Sequence, residues 1–128
     1  YADPAELAAN SDFLVLALPG GASTRHLVDA RVLKALGSQG YLINVARGTV
    51  VDEQALVSAL QNGEIAGAGL DVFEHEPQVP QALIDSDRTV LLPHIGSGTA
   101  ETRDAMGDLL LANLDGWFSS RTVRTAVA

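Results

Sequence analysis

Arg47, Asp71, Glu76 and His94 are the residues of this chain whose types and positions could carry chemistry. Arg47 directly follows the apolar run 42–45, with Gly48 behind it. A guanidinium at such a point can hold a carboxylate and an adjacent carbonyl oxygen through two parallel hydrogen bonds. Asp71 ends a second apolar run, and Glu74, His75 and Glu76 come after it. An acidic cluster of this kind can bind a ribose, a carboxamide or a metal, or it can cap a turn. His94 lies between Leu92-Pro93 and Ile95-Gly96-Ser97-Gly98, and histidine is the side chain that most easily exchanges a proton near neutral pH. Each has a plainer alternative when taken alone: a solvated arginine, a turn cap, a structural histidine. Together they place an anion clamp, an orienting carboxylate and an acid at three successive strand ends. That set suits reduction of a 2-oxo acid, in which hydride reaches the carbonyl carbon while a proton must reach the oxygen. Charge develops on that oxygen, so a nearby cation and a proton donor both lower the barrier.

Other catalytic sets compete poorly. No Gly-x-Ser-x-Gly elbow occurs. His26, His75 and His94 lack the spacing of a helical zinc motif, so no metal site is expected. There is no cysteine, which excludes disulfides, zinc-thiolate sites and thiol catalysis. No Gly-x-Gly-x-x-Gly fingerprint is present, and Gly67 and Gly69 open no helix. The 128 residues suffice for one domain with a real core, and 47% apolar against 19% charged residues argues for a folded chain. Sixteen acidic and eight basic residues leave a net charge of −8. A field of that sign repels phosphate backbones and anionic lipid, so neither nucleic acid nor membrane is an expected partner. A small anionic substrate would need a local cation such as Arg47. No apolar run approaches the ~20 residues of a membrane span, and no secretory signal is visible.

The elements that must position these residues are legible in outline: helix, strand, helix, strand, helix, strand, strand, helix. Asp3-Pro4 reads as an N-cap with a first-turn proline, opening a short helix that ends near Asn10. Residues 13–18 form an unbroken apolar run, expected to be a strand covered on both faces and stopped by Pro19-Gly20-Gly21. Asp29 and Gly37 bracket a second helix. Strand 41–45 follows, and then a helix opened by Asp52, striped with Ala55, Leu56, Ala59 and Leu60, and closed by Gly63. Residues 65–72 and 89–92 are the third and fourth strands. The longest helix runs from about 99 to 118, with Met106, Leu110, Leu114 and Trp117 along one side. Buried strands alternating with helices specify an α/β fold with a parallel sheet, whose ligands sit beyond the carboxyl ends of the strands.

These residues, in this order, carry a family resemblance. The stretches are 11–19 (SDFLVLALP), Thr24-Arg25-His26-Leu27, 42–48 (LINVARG), 69–77 (GLDVFEHEP) and 92–97 (LPHIGS). Over nearly its whole length the chain resembles the D-isomer-specific 2-hydroxyacid dehydrogenases, and Pro19-Gly20-Gly21 tilts it toward their glyoxylate/hydroxypyruvate reductase-like branch. The resemblance implies part of a Rossmann-like doubly wound parallel sheet, the C-terminal half of a nucleotide-binding domain. It implies that Arg47 binds substrate and polarises its keto group, and that His94 is the acid/base. Glu76 would hydrogen-bond that histidine, and its negative charge favours the imidazolium. Asp71 would hold the nicotinamide carboxamide, with Val45, His94 and Gly96 lining the nicotinamide pocket. Leu18 and Pro19 would lie beside the cofactor's ribose and pyrophosphate. Glu74 and His75 would be flanking surface residues.

The resemblance further implies NAD or NADP as cofactor, a small anionic 2-oxo acid as substrate, a D-2-hydroxy acid as product, and a cytoplasmic homodimer for the full-length protein. Residues 1–118 are expected to be the C-terminal part of the NAD(P)-binding domain, and residues 119–128 a tail returning to a substrate domain. Because the chain begins at Tyr1 and holds no glycine-rich dinucleotide loop, it is expected to be a C-terminal fragment that binds cofactor weakly and turns over little by itself. The alternative is a non-enzymatic, corepressor-like nicotinamide sensor of the same fold. Which 2-oxo acid is reduced, and whether NAD or NADP serves, is not encoded in these residues.

Overall fold

The computed structural model describes residues 1–126 and divides into two units, Tyr1–His94 and Ile95–Ala128. The first unit is a four-stranded parallel sheet in the order β1-β2-β3-β4, made of Phe13–Leu16, Tyr41–Asn44, Gly67–Leu70 and Thr89–Leu91. Register is continuous across it: Leu16 pairs with Asn44, Asn44 with Leu70, and Leu70 with Leu91. All four carboxyl ends therefore lie at one rim. The helices are α1 (Pro4–Ala9), α2 (Ala30–Leu36), α3 (Glu53–Gln61) and α4 (Gln81–Ile84). Their starts follow the expected chemistry. Asp3, Asp29 and Asp52 each accept a hydrogen bond from a first-turn N–H, those of Ala5, Val32 and Ala55. Gly37 ends α2 in a left-handed conformation, φ 78°, as a C-terminal glycine should.

The core lies between the sheet and α1–α4. Leu33, Leu42, Leu56, Ile65 and Leu83 are among its fully buried side chains, each stabilising the fold by roughly 1.5–3 kcal/mol relative to exposure. Only one face of the sheet is sealed in this unit. Leu14, Leu16, Leu42 and Leu70 are buried, whereas Phe13 and Val15 are 63% and 57% exposed and Tyr41 and Val90 are exposed as well. The expectation that strand 13–18 is covered on both faces is therefore corrected. Its unbroken apolar run makes both faces apolar, but α1–α3 pack on one. Phe13 and Tyr41 stack on the open face with ring centroids 5.2 Å apart. The strands are also shorter than the apolar runs, and α4 was not anticipated. Four residues after Pro80 carry too little periodicity to announce a helix.

The second unit is α5, Ala100–Ser120, capped by Thr99, whose hydroxyl accepts from the N–H of Thr102. Arg121 ends it in the left-handed region, φ 56°. Asn113 then holds the following segment against the helix, donating to Thr125 Oγ1 and accepting from the N–H of Arg124. Met106, Leu110, Leu114 and Trp117, the expected apolar stripe, are all exposed. The expected tail 119–128 extends two residues beyond those described.

Candidate active site

The loop carrying Arg47 is shaped by Asn44, an amide only 1% exposed at the end of β2. Its Oδ1 accepts from the N–H of Ala46 at 3.0 Å, and its Nδ2 donates to the carbonyl of Arg47 at 3.1 Å. A buried side chain thus replaces the ladder bonds lost where the strand stops. Arg47 itself is extended and precedes a 3-10 turn at Gly48–Val50. Its Nη1 donates to the carbonyl of Ala46 at 2.6 Å. Gly20, in the loop after β1, makes room for the arginine stem: a Cβ there would lie 2.8 Å from Arg47 Cγ. On the other side, a Cβ on Gly48 would lie 1.9 Å from the carbonyl carbon of Phe73. The loops after β2 and β3 therefore touch backbone to backbone.

That contact seats the loop that bears Glu76. Glu76 Oε1 accepts from the N–H of Phe73 at 3.0 Å, and Oε2 lies 2.8 Å from His94 Nδ1. The bond to His94 is the main cause holding the Glu76 carboxyl below the usual 4.5. The Phe73 N–H and the charges of His94 and Arg47 act in the same direction, against a partial burial. An ionised carboxylate only accepts, so Nδ1 carries the hydrogen and Nε2 is left as the atom that exchanges a proton. His94 sits at φ 55°, an uncommon backbone state for a residue with a side chain, directly after Pro93.

Arg47, Glu76 and His94 line one pocket of about 290 Å³, together with Gly48 and Thr49. Glu76 and His94 also line an adjoining, mostly apolar pocket of about 360 Å³ with Leu92 and Pro93. Asp71, 4% exposed, lies at the carboxyl end of β3, its N–H donating to the carbonyl of Asn44. Leu18 and Pro19 follow β1, and Val45 follows β2 with its side chain exposed. These residues occupy the same rim but do not line the pocket shared by the first three. Gly96 belongs to the second unit. Among the described residues, no group of three or more His, Cys, Asp or Glu is placed to hold a metal ion, and no helix is long and apolar enough to cross a membrane.

One expectation is corrected here. Glu74 is not a surface residue: its side chain is 9% exposed and accepts from Arg25 Nη2 and meets His26 Nε2, each at 2.8 Å. His75 is exposed, as expected. Sequence reasoning left Asn44 without a role and read Gly20 only within the Pro19-Gly20-Gly21 stop, not as room for Arg47. An amide closing an apolar strand was the available signal for Asn44; the partners of Glu74 lie some fifty positions earlier in the chain and leave no local trace.

A parallel α/β sheet whose rim gathers an arginine, a carboxylate–histidine pair and a buried aspartate has the arrangement of a nucleotide-binding domain, with its polar residues beyond the carboxyl ends of the strands. The family model described as "D-isomer specific 2-hydroxyacid dehydrogenase, NAD binding domain" matches residues 1–96. The chain is 53% identical over 127 residues to glyoxylate/hydroxypyruvate reductase A HPR2 of Arabidopsis thaliana, covering 99% of this chain and 41% of that protein. It is 52% identical to hydroxyphenylpyruvate reductase of Plectranthus scutellarioides, with the same coverage. The crystal structure of the NADPH-dependent glyoxylate/hydroxypyruvate reductase SmGhrB of Sinorhizobium meliloti, in complex with NADP and malonate, superposes with a TM-score of 0.97 at 53% identity, covering 100% of this chain and 40% of that one. This chain belongs to the D-isomer-specific 2-hydroxyacid dehydrogenase family, and it spans about two fifths of the length of these relatives.

Proposed function

We propose that the whole protein reduces a small 2-oxo acid of the glyoxylate or hydroxypyruvate type to the D-2-hydroxy acid, using NADH or NADPH. The observation that carries this is the meeting of Arg47, Glu76 and His94 around one pocket at the rim of a parallel sheet. A proton donor and an anion clamp around one pocket favour a reductase over a protein that only senses nicotinamide. The cytoplasmic homodimer implied by the resemblance belongs to the same proposal.

The rim suits the nicotinamide end of such a cofactor. Asp71 is a buried acceptor of the kind that takes the hydrogens of a primary amide, and the resemblance assigns Val45 and Gly96 to the lining of the nicotinamide pocket. When bound, the cofactor supplies the hydride. The remaining work falls to the chain's own side chains. Arg47 pairs with the substrate carboxylate and draws charge toward the keto oxygen, a local cation within a chain of net charge −8. Glu76 holds His94 by Nδ1, so that Nε2 delivers a proton to the oxygen as it becomes an alkoxide. The test is oxidation of reduced nicotinamide by the intact protein with glyoxylate, hydroxypyruvate and hydroxyphenylpyruvate. Turnover with at least one supports the reading; binding of NAD(H) or NADP(H) without turnover of any of them would transfer the protein to the sensor class.

A further inference from the structure

The loop after β3 carries two glutamates two residues apart, and each meets a histidine: Glu76 meets His94 at 2.8 Å, and Glu74 meets His26 at 2.8 Å. The first pair lines the pocket described above. Glu74 lines it as well, and the second pair lies at a junction of segments far apart in sequence. Glu74 also accepts from Arg25, and its own N–H donates to Glu53 Oε2 at the start of α3. His26 in turn donates its backbone N–H to the carbonyl of Thr49, two residues after Arg47 and within the 3-10 turn that Gly48 begins. His26 keeps a left-handed backbone, φ 50°, while making both contacts.

From this junction we infer that Glu74 is a positioning residue for proton transfer: it fixes the loop 73–76, and through it Glu76 and His94, relative to Arg47. The inference rests on the reductase reading for its kinetic consequence but not for its structural one. Glu74 directly follows Phe73, whose N–H holds Glu76 Oε1. The loop is pressed on one side by Gly48, which admits no side chain, and drawn on the other by Arg25 and His26. Contact from Gly48 alone is repulsive and sets a limit in one direction only. The ion-paired carboxylate supplies the opposing pull, so the two together define a position. Burial would raise the Glu74 carboxyl, but the His26 bond and the charges of His26 and Arg25 hold it below the usual 4.5, so the loop is anchored by an ionised group at neutral pH. Proton transfer is sensitive to such placement, since a misplacement of about 1 Å can cost on the order of a hundredfold in rate.

The experiment compares Glu74→Ala, Glu74→Gln and the double substitution Arg25→Ala/His26→Ala with wild type in the intact protein. Glu74→Ala is expected to lower kcat by about tenfold or more, to leave KM for the nicotinamide within about twofold, and to raise the solvent deuterium isotope effect as proton transfer becomes limiting. Glu74→Gln keeps the acceptor oxygen and is expected to restore most of kcat; the double substitution, on exposed or half-exposed side chains, is expected to behave as Glu74→Ala does even if that variant folds poorly. Crystal structures of the same proteins supply the readout that does not depend on turnover: the Glu76–His94 bond should be lost without Glu74 or its two partners. A retained bond in those variants, or a kcat loss matched by loss of folded protein with the isotope effect unchanged, overturns the role of Glu74. A wild-type protein inactive on every 2-oxo acid tested overturns the reductase reading instead, and the crystallographic comparison still decides the positioning.

Discussion

Replacing Gly48 with alanine adds one methyl group at the point where the loops after β2 and β3 touch. That methyl would sit 1.9 Å from the carbonyl carbon of Phe73, 2.0 Å from its oxygen and 2.4 Å from the N of Glu74. All three are backbone atoms, so no side chain can rotate away. Ordinary contact begins at 3.4 Å, so the two segments must separate by about 1.5 Å. Overpacking of this kind costs typically about 1–3 kcal/mol, and more where backbone must move. The functional cost follows from what the displaced loop carries. Glu76 takes its orientation from the Phe73 N–H and holds His94 at 2.8 Å, so a shift of 1.5 Å breaks at least one of those bonds. With a penalty on the order of a hundredfold for about 1 Å of misplacement, kcat/KM for hydroxypyruvate in the intact protein should fall by about that factor or more. Urea unfolding of the same variant should show a loss of about 2–3 kcal/mol. Gly21→Ala is the control, because a Cβ there meets nothing within 4 Å, and it should match wild type in both assays. Gly48→Ala with kcat/KM within about threefold of wild type and unaltered stability would refute the idea that this contact seats the catalytic loop.

Asn44→Ala should cost about 1–3 kcal/mol in denaturant unfolding, because the buried N–H of Ala46 loses its acceptor, and should raise KM for the 2-oxo acid as Arg47 loses its support. Arg47→Leu should lower kcat/KM on the order of a hundredfold, and Arg47→Lys should recover little of it, since an ammonium lacks the two-pronged geometry; full activity in the lysine variant would show that only charge matters. The pH dependence of stability has a definite sign. The Glu76 and Glu74 carboxyls are both held below 4.5 in the folded protein, so the stability they contribute is complete above that value and is lost as pH falls through the folded-state values. Unfolding measured between pH 7 and pH 3 should therefore show a shallower acid decline in Glu74→Gln and Glu76→Gln than in wild type; an identical slope would mean that neither pair is linked to folding.

The helix starts were legible because their signals are local. Asp29 and Asp52 each stand one residue before a helix and reach its first N–H groups, and Gly37 stands where the chain must turn left-handed. The parallel sheet followed from apolar runs separated by those helices, and the rim position of Arg47, Asp71 and His94 followed from the sheet. What covers the second face of β1 did not follow. Phe13 and Val15 are as apolar as Leu14 and Leu16, and the run says nothing about which pair meets α1–α3. The pairing of Glu76 with His94 came from resemblance and could not be derived from spacing, because it depends on how the loop 73–76 bends to meet a residue eighteen positions on from Glu76. Glu74 was misplaced for the same reason. Its partners Arg25 and His26 belong to the loop after β1, and only the folded register brings them to it.

The assignment of proton transfer to His94 is tested most directly by steady-state reduction of hydroxypyruvate by the intact protein and its His94→Gln variant, with nicotinamide binding measured in parallel. Glutamine keeps a polar side chain of similar reach but cannot deliver a proton, so turnover should fall by about 10²–10⁴-fold while the affinity for reduced nicotinamide stays close to wild type. A variant that retains turnover within about threefold of wild type would contradict the account at its centre.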